Sequence, residues 1–212
     1  MNNSLLESLS SDNNLIIKKE EEYMEYIKNH ITNVIKVFEN MVENIYIFED
    51  AGHFDIADGI REAEYEGFIY RHDDSKYTDE EFTAYRRHFH SINDTEKEES
   101  KEDFELAWKH HYTVNPHHPE CWIKNGIPQL MPMKYIIEMA CDWIAMCVVK
   151  GGTALQYLND NKEKKQKVMH QDTMEILERI LYTYETEMSK GYSLTLLFVF
   201  LEKNNQILYK CI

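Results

Sequence analysis

The sequence predicts an all-α protein with a metal site held between its helices, and three observations predict it. Turn-forming residues are scarce, with 7 Gly and 4 Pro in 212 residues. Glu, Lys, Leu, Ile and Met fill long stretches and favour helix over a many-turned β protein. Within those stretches apolar residues recur at helical spacing, and His30 and Asp142 stand among them, where a buried polar group needs a partner. At 43% hydrophobic and 12% aromatic residues the chain is globular and fits one domain of ordinary size.

Residues 1–14 are polar and rich in Ser and Asn, and read as a mobile tail. A long helical pattern covers residues 15–48, where Ile27, Ile31, Val34, Phe38, Met41 and Ile45 form one apolar stripe that includes His30. Ala51 and Gly52 interrupt it. A second helix is expected over residues 56–70, running into the segment RHDDSKYTDEEF. Thr78 and Glu81 have the spacing of a capping box, so a further helix is expected from Asp79, carrying Phe82, Tyr85 and Phe89. Residues 91–103 read as a charged, solvated loop and helix entry, and residues 104–111 as helix. Pro116 and Pro119 forbid a regular helix in the following loop. Residues 133–149 form a strongly apolar helix with Asp142 inside it, ended by Gly151 and Gly152. An amphipathic helix over residues 168–188 closes a helical domain spanning 15–188, and residues 189–212 are a separate segment that fits either a helix or a short pair of strands.

The formal net charge of -15 argues against long nucleic acid as a partner, because affinity for a phosphate backbone comes from Lys and Arg. It argues equally against an anionic membrane surface. The apolar run 194–201 is too short to span a bilayer. Met1 is followed by polar residues rather than a signal-like segment, and the four cysteines form no CxxC pair, so a cytoplasmic protein with reduced thiols is expected. The abundance of Asn, Lys, Ile and Tyr suggests an AT-rich genome, phage or viral, which would put the protein in a host cytoplasm. The long first helix and the 194–201 run are candidate surfaces for a homo-oligomer.

Ten histidines are present, and they cluster. His110, His111, His117 and His118 fall close together, and His72 is followed by Asp73. Neutral imidazole with carboxylate is the natural ligand set for a divalent transition metal: Mn, Fe, Co, Ni or Zn. Asp142 shares a helix face with Met139, Trp143 and Met146, so its carboxylate needs a cation. Helices could bring His30, His72, Asp73 and Asp142 around one ion. Neighbouring histidines on a helix point about 100° apart, so one of His110 and His111 lines the site, and only one of His117 and His118 reaches it directly. These four are candidates for a second ion or for protonating a leaving group. Lys76 is placed to neutralise a phosphate or to pair with Asp73, Asp79 or Glu80. Glu120 reads as a partner for a histidine N–H or as a surface acid. Trp108, Trp122 and Trp143 are expected to build the core around the site.

A His, then a His-Asp pair, then a distant Asp is the pattern of the HD superfamily of metal-dependent phosphohydrolases, which this chain resembles through His30, His72, Asp73 and Asp142. More closely, HDDSKYTDEEF (72–82), AWKHHYTVNPHHPECW (107–122) and MPMKYIIEMACDWIAM (131–146) resemble a phage and bacterial family of unknown function, DUF5662, over about residues 29–158. Asp74 departs from the HD pattern, standing where an apolar residue is expected. The resemblance implies an HD-like helical bundle and hydrolysis of a small phosphorylated molecule such as a nucleotide, with one or two ions. The rival readings are a non-catalytic metal- or nucleotide-binding module, an interaction protein with a structural metal, and oxidation at a di-iron centre.

Overall fold

The computed structural model describes the backbone of residues 2–191 and the side chains of residues 13–188. The expectations for residues 192–212, including the 194–201 run, lie outside the described residues. The described chain is all-α apart from one short hairpin. Its helices are α1 (Asn2–Glu43), α2 (Tyr46–Asp50), α3 (Phe54–Glu66), α4 (Phe82–Phe89), α5 (Asp94–Glu99), α6 (Lys101–Val114), α7 (Met133–Lys150), α8 (Ala154–Asp160), α9 (Lys162–Lys165) and α10 (Gln171–Gly191). Three 3-10 turns cover Phe68–Arg71, Asp74–Tyr77 and Pro119–Trp122. The hairpin pairs β1 (Ile123–Lys124) with β2 (Ile127–Pro128) in antiparallel register.

Helix α1 starts at Asn2 rather than near residue 15, because neither Gly nor Pro interrupts the first 43 residues. Ser and Asn lower helix propensity without breaking a helix. Its end comes earlier than expected. The Asn44 side chain donates to the Asn40 carbonyl, and the chain turns there before α2. Where the sequence suggests one helical domain, the chain resolves into two compact units. The first takes residues up to 29 together with 74–111, and the second takes residues 30–73 and, of the described residues, 112–191.

The first unit is built on aromatic contacts. Tyr23 on α1 meets Phe82 at 5.2 Å and His90 at 5.5 Å between ring centroids. Phe104 on α6 collects Tyr85, His88 and Phe89 from α4. The buried Arg86 is clamped by Glu96 through two hydrogen bonds of 2.8 and 2.9 Å. Much of the stretch read as a solvated loop is therefore helical. Asn93 caps α5 by accepting from the Glu96 amide, and α6 begins at Lys101. The expected capping box does not form. Helix α4 begins at Phe82 with Glu81 as its N-cap residue, and the Glu81 side chain makes no cap hydrogen bond.

The second unit is a helical bundle around α7. Its apolar residues Ile136, Ile137, Ala140, Cys141 and Ile144 pack with α3 and α10. Contact with α3 is close at Gly59, where a side chain would overlap Met133 and a Cβ would lie 3.0 Å from Ile137 Cδ1. Val34, Val37, Phe38 and Met41 of α1 join the same core. Burying side chains of this size contributes about 1.5–3 kcal/mol each before entropy is counted. Arg179 on α10 holds Asp55 on α3 in a forked pair. Glu185 on α10 accepts from the Ala154 amide at 2.7 Å and so satisfies the start of α8. Gly151, with φ 86°, ends α7 as expected.

Candidate metal centre

The second unit brings one donor set together from separate elements. His30 comes from the buried stripe of α1, between Ile27 and Val34. His72 and Asp73 sit in the corner between the first two 3-10 turns, beyond α3, which ends at Glu66 rather than near residue 70. Asp73 has φ 57°, a left-handed conformation that costs a non-glycine residue energy and persists where surrounding contacts demand it. Asp142 comes from α7.

Their donor atoms converge. His30 Nε2 lies 3.3 Å from His72 Nε2, 3.3 Å from Asp73 Oδ2 and 3.3 Å from Asp142 Oδ1. His72 Nε2 lies 3.5 Å from Asp73 Oδ2 and 4.0 Å from Asp142 Oδ1. Ligands about 2.1 Å from one ion stand about 3.4 Å apart in a tetrahedron and about 3.0 Å apart for octahedral neighbours, so these spacings suit a shared ion. Asp142 Oδ1 is shielded from solvent and has no hydrogen-bond partner. A carboxylate oxygen held that way is costly unless a cation meets it.

Two further side chains complete the centre. His117, carried by the proline loop, puts Nε2 3.5 Å from Asp73 Oδ1, the oxygen of Asp73 other than the one facing His30 and His72. Glu138, one helical turn before Asp142 on α7, receives His72 Nδ1 at 2.9 Å and stands 3.3 Å from His117 Nδ1, both on Oε1. His118 lies against His117 with ring centroids 4.2 Å apart and the rings tilted by 41°, and Asp73, His117 and His118 each offer a ligand atom within 4.8 Å of the others. The loop is pinned by the Trp122 indole N–H, which donates to the Pro116 carbonyl at 2.7 Å. It closes through the hairpin, whose turn residues Asn125 and Gly126 both have positive φ.

Electrostatics follow from this geometry. Burial opposes charge on His72, but Asp73, the hydrogen bond to Glu138 and the charge of Asp142 outweigh it and push its pKa up to about 9. Burial also works against the Glu138 carboxylate, yet hydrogen bonds with His117 and His72 hold its carboxyl below the usual range. With no ion bound, a proton on His72 takes over part of a cation's role.

His110 and His111 belong to the first unit, on α6, and both direct Nδ1 at 2.8 Å to the buried Glu81. Ser75 adds a contact of 3.3 Å to His111 Nδ1. Burial resists the Glu81 charge, but the His111, Ser75 and His110 hydrogen bonds keep its carboxyl below the usual range. Lys76 is half-buried on the Asp74–Tyr77 turn of that unit, and Asp74 beside it is exposed. Glu120 is half-buried on the Pro119–Trp122 turn, and its Oε2 is shielded without a hydrogen-bond partner. Of the three tryptophans, Trp122 packs against the core, Trp143 is half-buried under Lys165, and Trp108 is exposed, stacked on His111. Glu138 was not singled out from sequence, His117 was named only as an alternative to His118, and Glu81 was read only as part of a capping box. Glu138 had a signal: it is the acid one turn from Asp142 in an otherwise apolar helix.

Fold and donor set define an all-helical protein with buried His/Asp clusters that could hold a metal ion. The chain belongs to a family of unknown function, DUF5662, whose model matches residues 19–183. No curated protein and no solved structure matches it. Among the described residues no helix is long and apolar enough to cross a membrane.

Proposed function

We propose that this protein is a metal-dependent hydrolase of the HD type that acts on a small phosphorylated molecule, a nucleotide or another phosphomonoester. The observation that carries the reading is the convergence of His30 Nε2, His72 Nε2, Asp73 Oδ2 and Asp142 Oδ1. Two imidazoles with two carboxylates suit Mn, Fe, Co, Ni or Zn, and their order along the chain is that of the HD pattern. When bound, such an ion supplies Lewis-acid polarisation of a phosphoryl oxygen and a water of lowered pKa.

The chain's own residues do the rest. Asp73 orients its two oxygens to different partners, His30 and His72 on one side and His117 on the other, which supports a second ion held by Asp73, His117 and His118. The net charge of -15 favours a small substrate, held through metal, over a polyanion. The reduced Cys121, Cys141 and Cys147 support work in a cytoplasm.

The test is phosphate release from a panel of nucleotides and phosphomonoesters with added Mn²⁺ or Co²⁺, comparing the wild type with Asp73→Asn. Turnover by the wild type that is lost in the variant supports hydrolysis. Stoichiometric metal without turnover of any substrate in the panel points instead to a binding module.

A further inference from the structure

Glu138 does not face the four converging donor atoms. It stands behind two of the imidazoles. Its Oε1 meets His72 Nδ1 at 2.9 Å and His117 Nδ1 at 3.3 Å, and all three residues are buried. The two rings lie 4.4 Å apart at an interplanar angle of 40°. A carboxylate accepts and cannot donate, so each Nδ1 must carry its proton toward Glu138. In the neutral ring that leaves the lone pair on Nε2. Those are the nitrogens turned to Asp73, at 3.5 Å from His72 to Oδ2 and 3.5 Å from His117 to Oδ1.

We propose that Glu138 is the positioning residue of this centre, one carboxylate that fixes the tautomer and aim of both His72 and His117. The ring of His72 comes from the corner after Ile69, and that of His117 from the proline loop; nothing in their own local backbone turns both Nδ1 atoms toward one point. Their common alignment follows from sharing one oxygen. Because Glu138 and Asp142 sit one turn apart on α7, the same helix supplies a donor to the centre and the group that aims two others. A histidine ligand whose second nitrogen is held by a carboxylate is a stronger and better oriented ligand, and loss of such a support typically weakens metal binding about 10–100-fold.

The orienting role is tested without metal, while its effect on affinity rests on the metal reading above. In chelator-treated protein, the Nδ1–H protons of His72 and His117 should both resonate downfield and exchange slowly, assigned through His72→Gln and His117→Gln. Both should vanish into fast exchange in Glu138→Ala. In Glu138→Gln, whose amide oxygen can still accept, they should persist. Affinity for Zn²⁺ by chelator competition should fall about 100-fold in Glu138→Ala and about 10-fold in Glu138→Gln. Retention of both protected protons in a folded Glu138→Ala, or loss of only one, overturns the shared role. If the wild type binds no Zn²⁺, the metal reading fails, and the proton signals still decide the role of Glu138.

Discussion

Stripped of metal, this protein should lose stability as pH rises through the neutral range, and His72 is the reason. Burial alone would lower its pKa, but Asp73, Glu138 and Asp142 raise it from 6.5 to about 9. The sign follows from proton binding. A histidine with a raised folded pKa contributes its full stabilisation below its unfolded value and none above its folded one. Between about pH 6.5 and 9 the folded state holds one more proton than the unfolded state, a slope of about 1.4 kcal/mol per pH unit. The His72 side chain is 0% exposed, so solvent does not screen the effect. From about pH 7 to 8.5 the loss is on the order of 2 kcal/mol, or about 4–8 °C in Tm for a chain of this size. His88 and His90, whose values burial lowers, titrate below this window. The assay is a series of thermal melts in EDTA at constant ionic strength, with His72→Gln alongside. The wild type should lose stability over that range, and the variant should lose much less. A flat or rising wild-type profile refutes the argument, because His72 would then not be held protonated by its neighbours.

Two other perturbations follow from the fold. Gly59→Val should destabilise by about 1–3 kcal/mol in urea melts, because the new side chain overlaps Met133 on α7; pairing it with Met133→Ala should recover part of the loss, and a neutral single variant would mean that α3 and α7 are not in close contact there. Glu81→Ala removes a buried carboxylate from His110 and His111 and should cost on the order of 3 kcal/mol by the same assay, with Glu81→Gln in between; equal stability of all three would show that the hydrogen bonds contribute nothing.

The parts of this molecule governed by local periodicity were legible from sequence. His30 was placed on the inside of α1 because Ile27 and Val34 flank it at helical spacing, and Asp142 was placed in α7 because nothing around it breaks an apolar helix. The His-Asp pair was visible too, but not which residue takes the left-handed turn, since Asp73, Asp74 and Ser75 are all turn-forming residues in a row. Long-range partners explain the misreadings. Thr78 and Glu81 have the letters of a capping box, yet Glu81 is drawn to two histidines 29 and 30 residues away, which a local rule cannot weigh. His117 and His118 could not be told apart by spacing; what distinguishes His117 is the contact of its Nδ1 with the Glu138 carboxylate, a partner from another element. Asn125-Gly126 did carry a hairpin signal, set between β1 and β2, that locks this loop.

The central claim is that His30, His72, Asp73 and Asp142 hold a divalent ion. The most direct test is metal content by mass spectrometry on protein purified without chelator, repeated on His72→Ala and Asp142→Ala with folding checked by circular dichroism. Stoichiometric transition metal is expected in the wild type, and its loss from both folded variants. A folded wild type without bound metal, even after incubation with Mn²⁺, Co²⁺ and Zn²⁺, would contradict it.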